Sequence, residues 1–142
     1  MMKTFKFISD AELGLNEQDT YFAFVTDTKM KEQDRRFYTY VELYDYPGFS
    51  LYNVQSVSNS ERSRFFWYAN KMEIIDENHL LCPERMINRY VYVTLTVLEY
   101  GTYIREIRYA EDDEIRQELE ARGEDTSEFE DADIDEGYEY SR

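Results

Sequence analysis

Two segments of the chain alternate between aliphatic and aromatic side chains with a period of two. In residues 36–46 the odd positions include Val41 and Leu43, whereas four of the even positions are tyrosine. In residues 89–100 the odd positions from 91 to 97 are valine or leucine, and tyrosine or threonine fills most of the even ones. This pattern predicts antiparallel strands whose aliphatic side faces a core and whose tyrosine side faces outward.

Turn residues predict the partners of these strands. Tyr46-Pro47-Gly48-Phe49 suits a type II turn, so residues 50–57 should return as a paired strand. Gly101 separates the second alternating segment from residues 102–109, which predicts another hairpin. Residues 3–8 and 20–26 also have strand composition.

Three segments have helical features. Ser9 and Glu12 have capping-box spacing, which predicts a short helix there. Residues 58–76 fit either a helix capped at Ser58 and Glu61 or a buried hairpin, and the helical spacing of the apolar residues favours the helix. Residues 111–122 form the clearest helix, with four acids in the first turn and Gly123 as its stop.

These elements predict an α+β fold with a mainly antiparallel sheet of about five to six strands, one or two helices, and an acidic C-terminal helix and tail. Residues 1–110 contain 13 basic and 16 acidic side chains, whereas residues 111–142 contain 3 and 15. Of the 24 aromatic residues, 21 precede residue 111. We therefore predict a β-rich globular body over residues 1–110 and an acidic helix with a flexible tail over residues 111–142.

Several functional classes are disfavoured. No apolar run approaches the roughly 18 residues that a membrane span requires, and the N-terminus lacks the apolar stretch of a secretory signal. A single cysteine, Cys82, allows no internal disulfide, so a cytoplasmic location is expected. The formal charge of −15 disfavours duplex DNA and anionic membranes as partners.

We expect no catalytic residues, metal or cofactor. His79 and Cys82 lack the second ligand pair that a zinc site requires, and a surface histidine near a buried thiol is the simpler interpretation. Residues 131–137 resemble the start of a calcium loop, but Glu136 replaces the required glycine and Arg142 the required glutamate. Arg105 and Arg108 are candidate anion contacts if the sheet holds a ligand pocket or an active site.

The acidic end suggests imitation of a polyanion. Six of the nine residues from 128 to 136 are acidic, and apolar or aromatic residues interrupt the acids there and beyond. We predict a non-enzymatic inhibitor whose acidic end occupies the nucleic-acid site of a basic nuclease or polymerase. In size and acidity the chain is similar to viral and mobile-element antagonists of restriction and CRISPR nucleases, without any shared motif. The predicted partner-binding residues are Glu111, Asp112, Asp113, Glu114, Glu118, Glu128, Phe129, Glu130, Asp131, Asp133, Asp135, Glu136, Tyr138 and Tyr140.

Two other interpretations stay open. The body could bind single-stranded nucleic acid, with the acidic tail competing for the same groove, and basic and aromatic residues that could stack on bases occur in residues 62–68 and 89–92. Core or dimer packing is the more common role of such aromatics, and a tyrosine-rich sheet face could pair two copies of the chain. The chain could also be an adaptor or subunit whose acidity serves only solubility.

Overall fold

The computed structural model describes residues 13–127. This part of the chain contains one five-stranded antiparallel sheet and two α-helices, which confirms the predicted α+β class. The elements are β1 (Thr20–Lys31), β2 (Arg36–Leu43), β3 (Ser50–Ser56), α1 (Arg64–Lys71), β4 (Tyr90–Leu98), β5 (Gly101–Tyr109) and α2 (Asp112–Ala121).

The strand order is β3-β2-β1-β4-β5, which is a Greek key. Hairpin turns join β1 to β2 and β2 to β3, whereas β4 returns through the long connection that contains α1 and pairs with β1. The edge strands β3 and β5 both run in the direction of β1, and they approach each other. Asn53 of β3 donates a hydrogen bond from Nδ2 to the carbonyl oxygen of Ile104 in β5 at 3.1 Å. The sheet therefore curls into a partly open barrel.

The aliphatic face of the alternating strands lines the barrel interior, as the alternation predicted. Val41 in β2 and Val93 and Leu95 in β4 are buried, and they belong to one continuous apolar core. The tyrosines at the intervening positions of β2 lie on the outer face, where they are half-buried. Strands β2 and β4 thus each place aliphatic residues on the inner face of the sheet and tyrosines on the outer face.

Helix α1 contributes two aromatic rings to this core. Phe65 and Tyr68 are buried, and the Tyr68 hydroxyl lies 2.9 Å from the Thr39 hydroxyl inside the barrel. The prediction of a helix within residues 58–76 is confirmed, but the predicted cap was wrong. Ser63 caps α1, because its Oγ accepts from the Phe66 N–H at 3.0 Å, whereas the Ser58 hydroxyl accepts from the Ser60 N–H in the preceding turn.

Two strand boundaries differ from the sequence predictions, and one turn is confirmed. Strand β1 continues past Thr26 to Lys31, because an irregularity between Val25 and Asp27 shifts the register without ending the pairing with β2. Strand β2 ends at Leu43, and the predicted turn follows: the Phe49 N–H donates to the Tyr46 carbonyl at 2.9 Å, and Gly48 has φ 83°. The predictions of a strand at residues 3–8 and a helix at Ser9 lie outside the described residues.

A second compact unit begins at Ala110. Helix α2 within it starts with a capping box formed by Glu111 and Glu114, and the chain leaves the helix through Gly123, whose φ is 74°. Neither helix in residues 13–127 is long and apolar enough to cross a membrane.

Candidate functional site

Five tyrosine side chains form a continuous row of ring contacts on the outer face of the barrel. The Tyr38 and Tyr40 rings of β2 are nearly parallel, with centroids 6.1 Å apart, and both contact Tyr52 of β3, at 5.6 and 6.0 Å. Tyr52 meets Tyr103 of β5 edge to face at 5.5 Å, and Tyr103 contacts Tyr100 at 6.4 Å. We call these residues the tyrosine row.

Strand register and barrel curvature together assemble the row. Tyr40 pairs directly with Tyr52 across β2 and β3, so the two side chains point to the same face. Tyr103 reaches them because the two sheet edges meet in the barrel. Gly101 assists at this end, since a Cβ there would lie 3.0 Å from the Tyr103 hydroxyl oxygen.

Three basic residues flank one end of the row. Lys31 places its Nζ 5.0 Å from the centre of the Tyr38 ring, which is a cation–π distance. Arg36 pairs with Lys31, and Lys29 pairs with Tyr38, so both point to the outer face as well. The overall acidity of the chain thus coexists with a local cluster of cations.

At the opposite end, Tyr100 is 80% exposed in the turn between β4 and β5. The row therefore extends from the basic residues near the β1–β2 turn, across β2 and β3, to the β4–β5 turn. Two acids lie on the same face: Asp27, whose side chain accepts from the Thr28 N–H at 2.8 Å, and Glu42, near the far end of β2.

The Tyr52 hydroxyl at the centre of the row keeps its proton at neutral pH. Burial, followed by the neighbouring hydroxyl of Tyr103, raises the pKa of Tyr52 above its usual value. A neutral phenol ring next to lysine and arginine can offer a stacking surface without repelling an anion.

The stacking platform that residues 62–68 and 89–92 could have formed is not assembled, and Phe65 and Tyr68 have the core role that was the more common expectation. Phe65 and Tyr68 are buried, so they do not share an open surface with Tyr90 and Tyr92. Tyr90 and Tyr92 belong to a separate aromatic cluster around Phe22, which is itself buried.

Three arginines that the sequence offered as ligand contacts, Arg89, Arg105 and Arg108, interact with other groups of the protein. The Arg89 guanidinium lies 3.5 Å above the Tyr109 ring. Arg105 donates to the Glu17 carbonyl at 3.0 Å, and Arg108 lies over the Tyr92 ring at 4.6 Å and donates to the Tyr109 carbonyl. These contacts make Arg105 and Arg108 weak candidates for binding an anion.

The acidic residues predicted to bind a partner divide into two groups. Asp112 and Asp113 in α2 are exposed, but Glu111 and Glu114 form the capping box, and Glu118 pairs with Arg122 at 2.8 Å. Three of the five helical candidates are thus already in local interactions. The remaining candidates lie outside the described residues: Glu128, Phe129, Glu130, Asp131, Asp133, Asp135, Glu136, Tyr138 and Tyr140.

His79 and Cys82 do not form a joint site. The exposed His79 ring lies 3.3 Å from a Glu61 carboxylate oxygen, and the half-buried Cys82 thiol lies 3.8 Å from Asp76. Burial is the largest influence that raises the pKa of the Cys82 thiol, so the unreactive protonated form is favoured. Within residues 13–127, no group of three His, Cys, Asp or Glu side chains is placed to hold a metal ion.

Comparisons of this chain with protein-family models, with curated proteins and with solved structures find no match. The geometry of the barrel surface is therefore the basis for any functional assignment.

Proposed function

We propose that the barrel binds single-stranded nucleic acid along the tyrosine row. The observation that supports this most strongly is the unbroken chain of ring contacts from Tyr38 to Tyr100, with Lys31 over its first ring. Binding, without a chemical step, is the role that such a surface can perform.

The chemistry of the row suits unpaired bases. Aromatic rings stack with nucleobases of any sequence, because every base has a π-face, and each stacked base contributes about 1–3 kcal/mol. In a duplex those faces are occupied by neighbouring base pairs. The row therefore favours a single strand over a double helix.

The basic residues beside the row suit the phosphate backbone. Lys29, Lys31 and Arg36 can contact phosphates while the bases lie on the rings. Three phosphate contacts to a single strand predict a slope of about −2 for the logarithm of the association constant against the logarithm of salt concentration. Such modest salt dependence fits a site in which stacking carries much of the affinity.

The architecture gives this proposal a precedent at the level of the fold. Five-stranded, partly open Greek-key barrels of the OB type bind oligonucleotides on the face of their second and third strands and on the loops β1–β2 and β4–β5. The tyrosine row and its cations occupy the corresponding elements of this chain. The likeness extends only to strand order and position, so the support for binding comes from the residues of the row and its cations.

Substitution of Tyr52, which contacts three other rings of the row, tests the proposal. We expect Tyr52→Ala to weaken the binding of a fluorescently labelled oligothymidylate about tenfold at low salt, because loss of one stacking position costs on the order of 1.4 kcal/mol. Fluorescence anisotropy titrations measure the dissociation constants, and circular dichroism checks that the variant is folded.

Trp67→Ala is the matched control. Trp67 is 65% exposed and has Lys71 over its ring at 5.3 Å, so it resembles a row residue but lies on α1. Its removal should leave oligonucleotide affinity unchanged. Failure of the wild-type protein to bind oligothymidylate, or equal losses in the two variants, would reject the proposal.

The prediction of an acidic inhibitor of a nuclease or polymerase stays a second proposal. Its structural support is limited to the exposed Asp112 and Asp113 in the first turn of α2, because its main segment lies outside the described residues. It predicts that the chain binds a basic protein through that acidic segment, whereas Tyr52→Ala leaves the complex intact. The homodimer prediction is tested separately, by the molecular mass of the chain in solution.

A further inference from the structure

A groove of about 630 Å³ opens beside the β1–β2 turn, between that turn and α1. Phe65, Ala69 and Leu81 provide apolar walls. Ser58 and Asn59, from the connection that precedes α1, also line the groove. A volume of this size with apolar walls and a few polar groups is typical of small-ligand sites.

The groove adjoins the basic end of the tyrosine row. Lys31, which lies over the first ring, is flanked in sequence by Met30 and Glu32, and both of these line the groove. Arg35 lines the groove as well and precedes Arg36, which lies on the face of the row. Lys31 and Met30 point to opposite faces of β1, so a bound strand enters the groove around the β1–β2 turn, at Glu32 and Arg35.

We propose that this groove holds one nucleobase of the single strand, turned out from the bases that lie on the tyrosine row. This inference rests on the proposed function and adds a specific subsite to it. The groove would act as a terminal pocket for the strand at the β1–β2 turn.

The charge of the rim favours a base over a phosphate. Arg35 is accompanied by Glu32 on the same rim, and His79 lies 3.3 Å from the Glu61 carboxylate. Glu32 and Arg35 bring one formal charge of each sign to the rim, which offers little net attraction to a phosphate and no repulsion to a neutral base.

The lining also offers the contacts that a base requires. Phe66 provides an aromatic surface at the groove, and the Asn59 side chain can donate to and accept from the edge of a base. Proteins that hold an extruded base use this combination of stacking and edge hydrogen bonds.

Abasic oligonucleotides test the subsite in the full-length protein. A twelve-nucleotide oligothymidylate is compared with a series in which a single abasic site occupies each position in turn. We expect removal of the base in the groove to weaken binding about tenfold, because one held base contributes about 1–3 kcal/mol.

Asn59→Ala tests whether the base at the sensitive position is the one held in the groove. This variant should weaken binding of the intact oligonucleotide about threefold to tenfold, the value of one hydrogen bond, and should have no effect when the base at the sensitive position is already absent. Asn78→Ala is the matched control, since Asn78 is exposed on a nearby loop and does not line the groove. It should bind as the wild type does.

Nuclear magnetic resonance gives a readout at the groove itself. His79 is the only histidine of the chain and lines the groove, and Trp67 is the only tryptophan and does not. The intact oligonucleotide should shift the His79 ring proton signals and leave the Trp67 indole signal in place. The oligonucleotide that lacks the sensitive base should not shift His79.

The outcomes separate the subsite from the proposed function. If no single position of the abasic series stands out and His79 does not shift, while Tyr52→Ala still weakens binding, the groove is not a base site and the tyrosine row remains the binding surface. If the wild type binds no oligonucleotide, both proposals are wrong.

Discussion

At the scale of single residues, the barrel interior contains a tyrosine, Tyr68, whose hydroxyl has an unusually high pKa. The Tyr68 hydroxyl and the Thr39 hydroxyl lie 2.9 Å apart, and Thr39 is fully buried. Burial raises the pKa of Tyr68 from 10.0 to about 12, and burial likewise raises the pKa of Tyr109 to about 12. Both groups keep their protons in the folded state at a pH where the unfolded chain loses them.

This difference predicts an alkaline loss of stability. The unfolded chain ionises these tyrosines near pH 10, so their contribution to the free energy of unfolding should be constant below that pH and should fall as the pH rises from about 10 to about 12. Tyr68→Phe should make this fall shallower, while costing about 1 kcal/mol at neutral pH through the lost hydrogen bond. Urea denaturation at several pH values measures both effects, and an unchanged alkaline slope in the variant would contradict the assignment.

Some features of the tyrosine row could be predicted from the sequence, and others could not. The outward position of Tyr38 and Tyr40 follows from the alternation in β2 alone. The contacts of Tyr52 with Tyr40 and Tyr103 depend on strand register and on the meeting of two sheet edges, and no local pattern encodes those. Core packing was the more common role expected of Phe65 and Tyr68, and it is the one observed, although helical spacing alone does not identify the partner against which their face packs.

At the scale of elements, helix α1 illustrates how competing caps are resolved. Residues 58–63 contain three serines that could begin a helix, and the Ser58–Glu61 spacing fits a capping box. The chain instead forms turns, with the Ser63 N–H donating to the Ser60 carbonyl, and begins the helix after Ser63. This start places Phe65 and Tyr68 together on the face that enters the barrel.

The cap can be tested by a pair of substitutions. Ser63→Ala should lower the free energy of unfolding by about 1 kcal/mol, because it leaves the Phe66 N–H without its capping oxygen. Ser58→Ala should have a smaller effect, since Ser58 accepts only from the Ser60 N–H in an exposed turn. Chemical denaturation of the two variants measures the difference, and a larger loss for Ser58→Ala would contradict the observed cap.

At the scale of the whole molecule, a nearly neutral body and a strongly acidic end belong to one chain. Residues 128–142 contain seven acidic residues and one arginine. A segment of this charge attached to a protein with a basic nucleic-acid surface competes with phosphates for the same cations. The charge asymmetry is evident from the sequence. The cluster of Lys29, Lys31 and Arg36 could be located only from the pairing of β1 with β2.

Removal of residues 128–142 should therefore raise the affinity of the protein for oligothymidylate, and the effect should diminish as salt is added. The deletion leaves Glu124 in place, whose N–H donates to the Leu119 carbonyl at the end of α2. Anisotropy titrations of the full and shortened chains at two salt concentrations measure the change. An affinity that falls after the deletion would show that the acidic end contributes to binding instead of opposing it.

Photocrosslinking locates a bound strand on the protein and therefore tests the proposed binding surface itself. An oligonucleotide that carries a photoreactive halogenated uracil at each position in turn is bound, irradiated and digested, and the crosslinked peptides are identified by mass spectrometry. A strand bound along the tyrosine row should form crosslinks to Tyr38, Tyr40, Tyr52, Tyr100 or Tyr103. Crosslinks confined to Trp67 on α1, or to Tyr90 in the separate aromatic cluster, would contradict it.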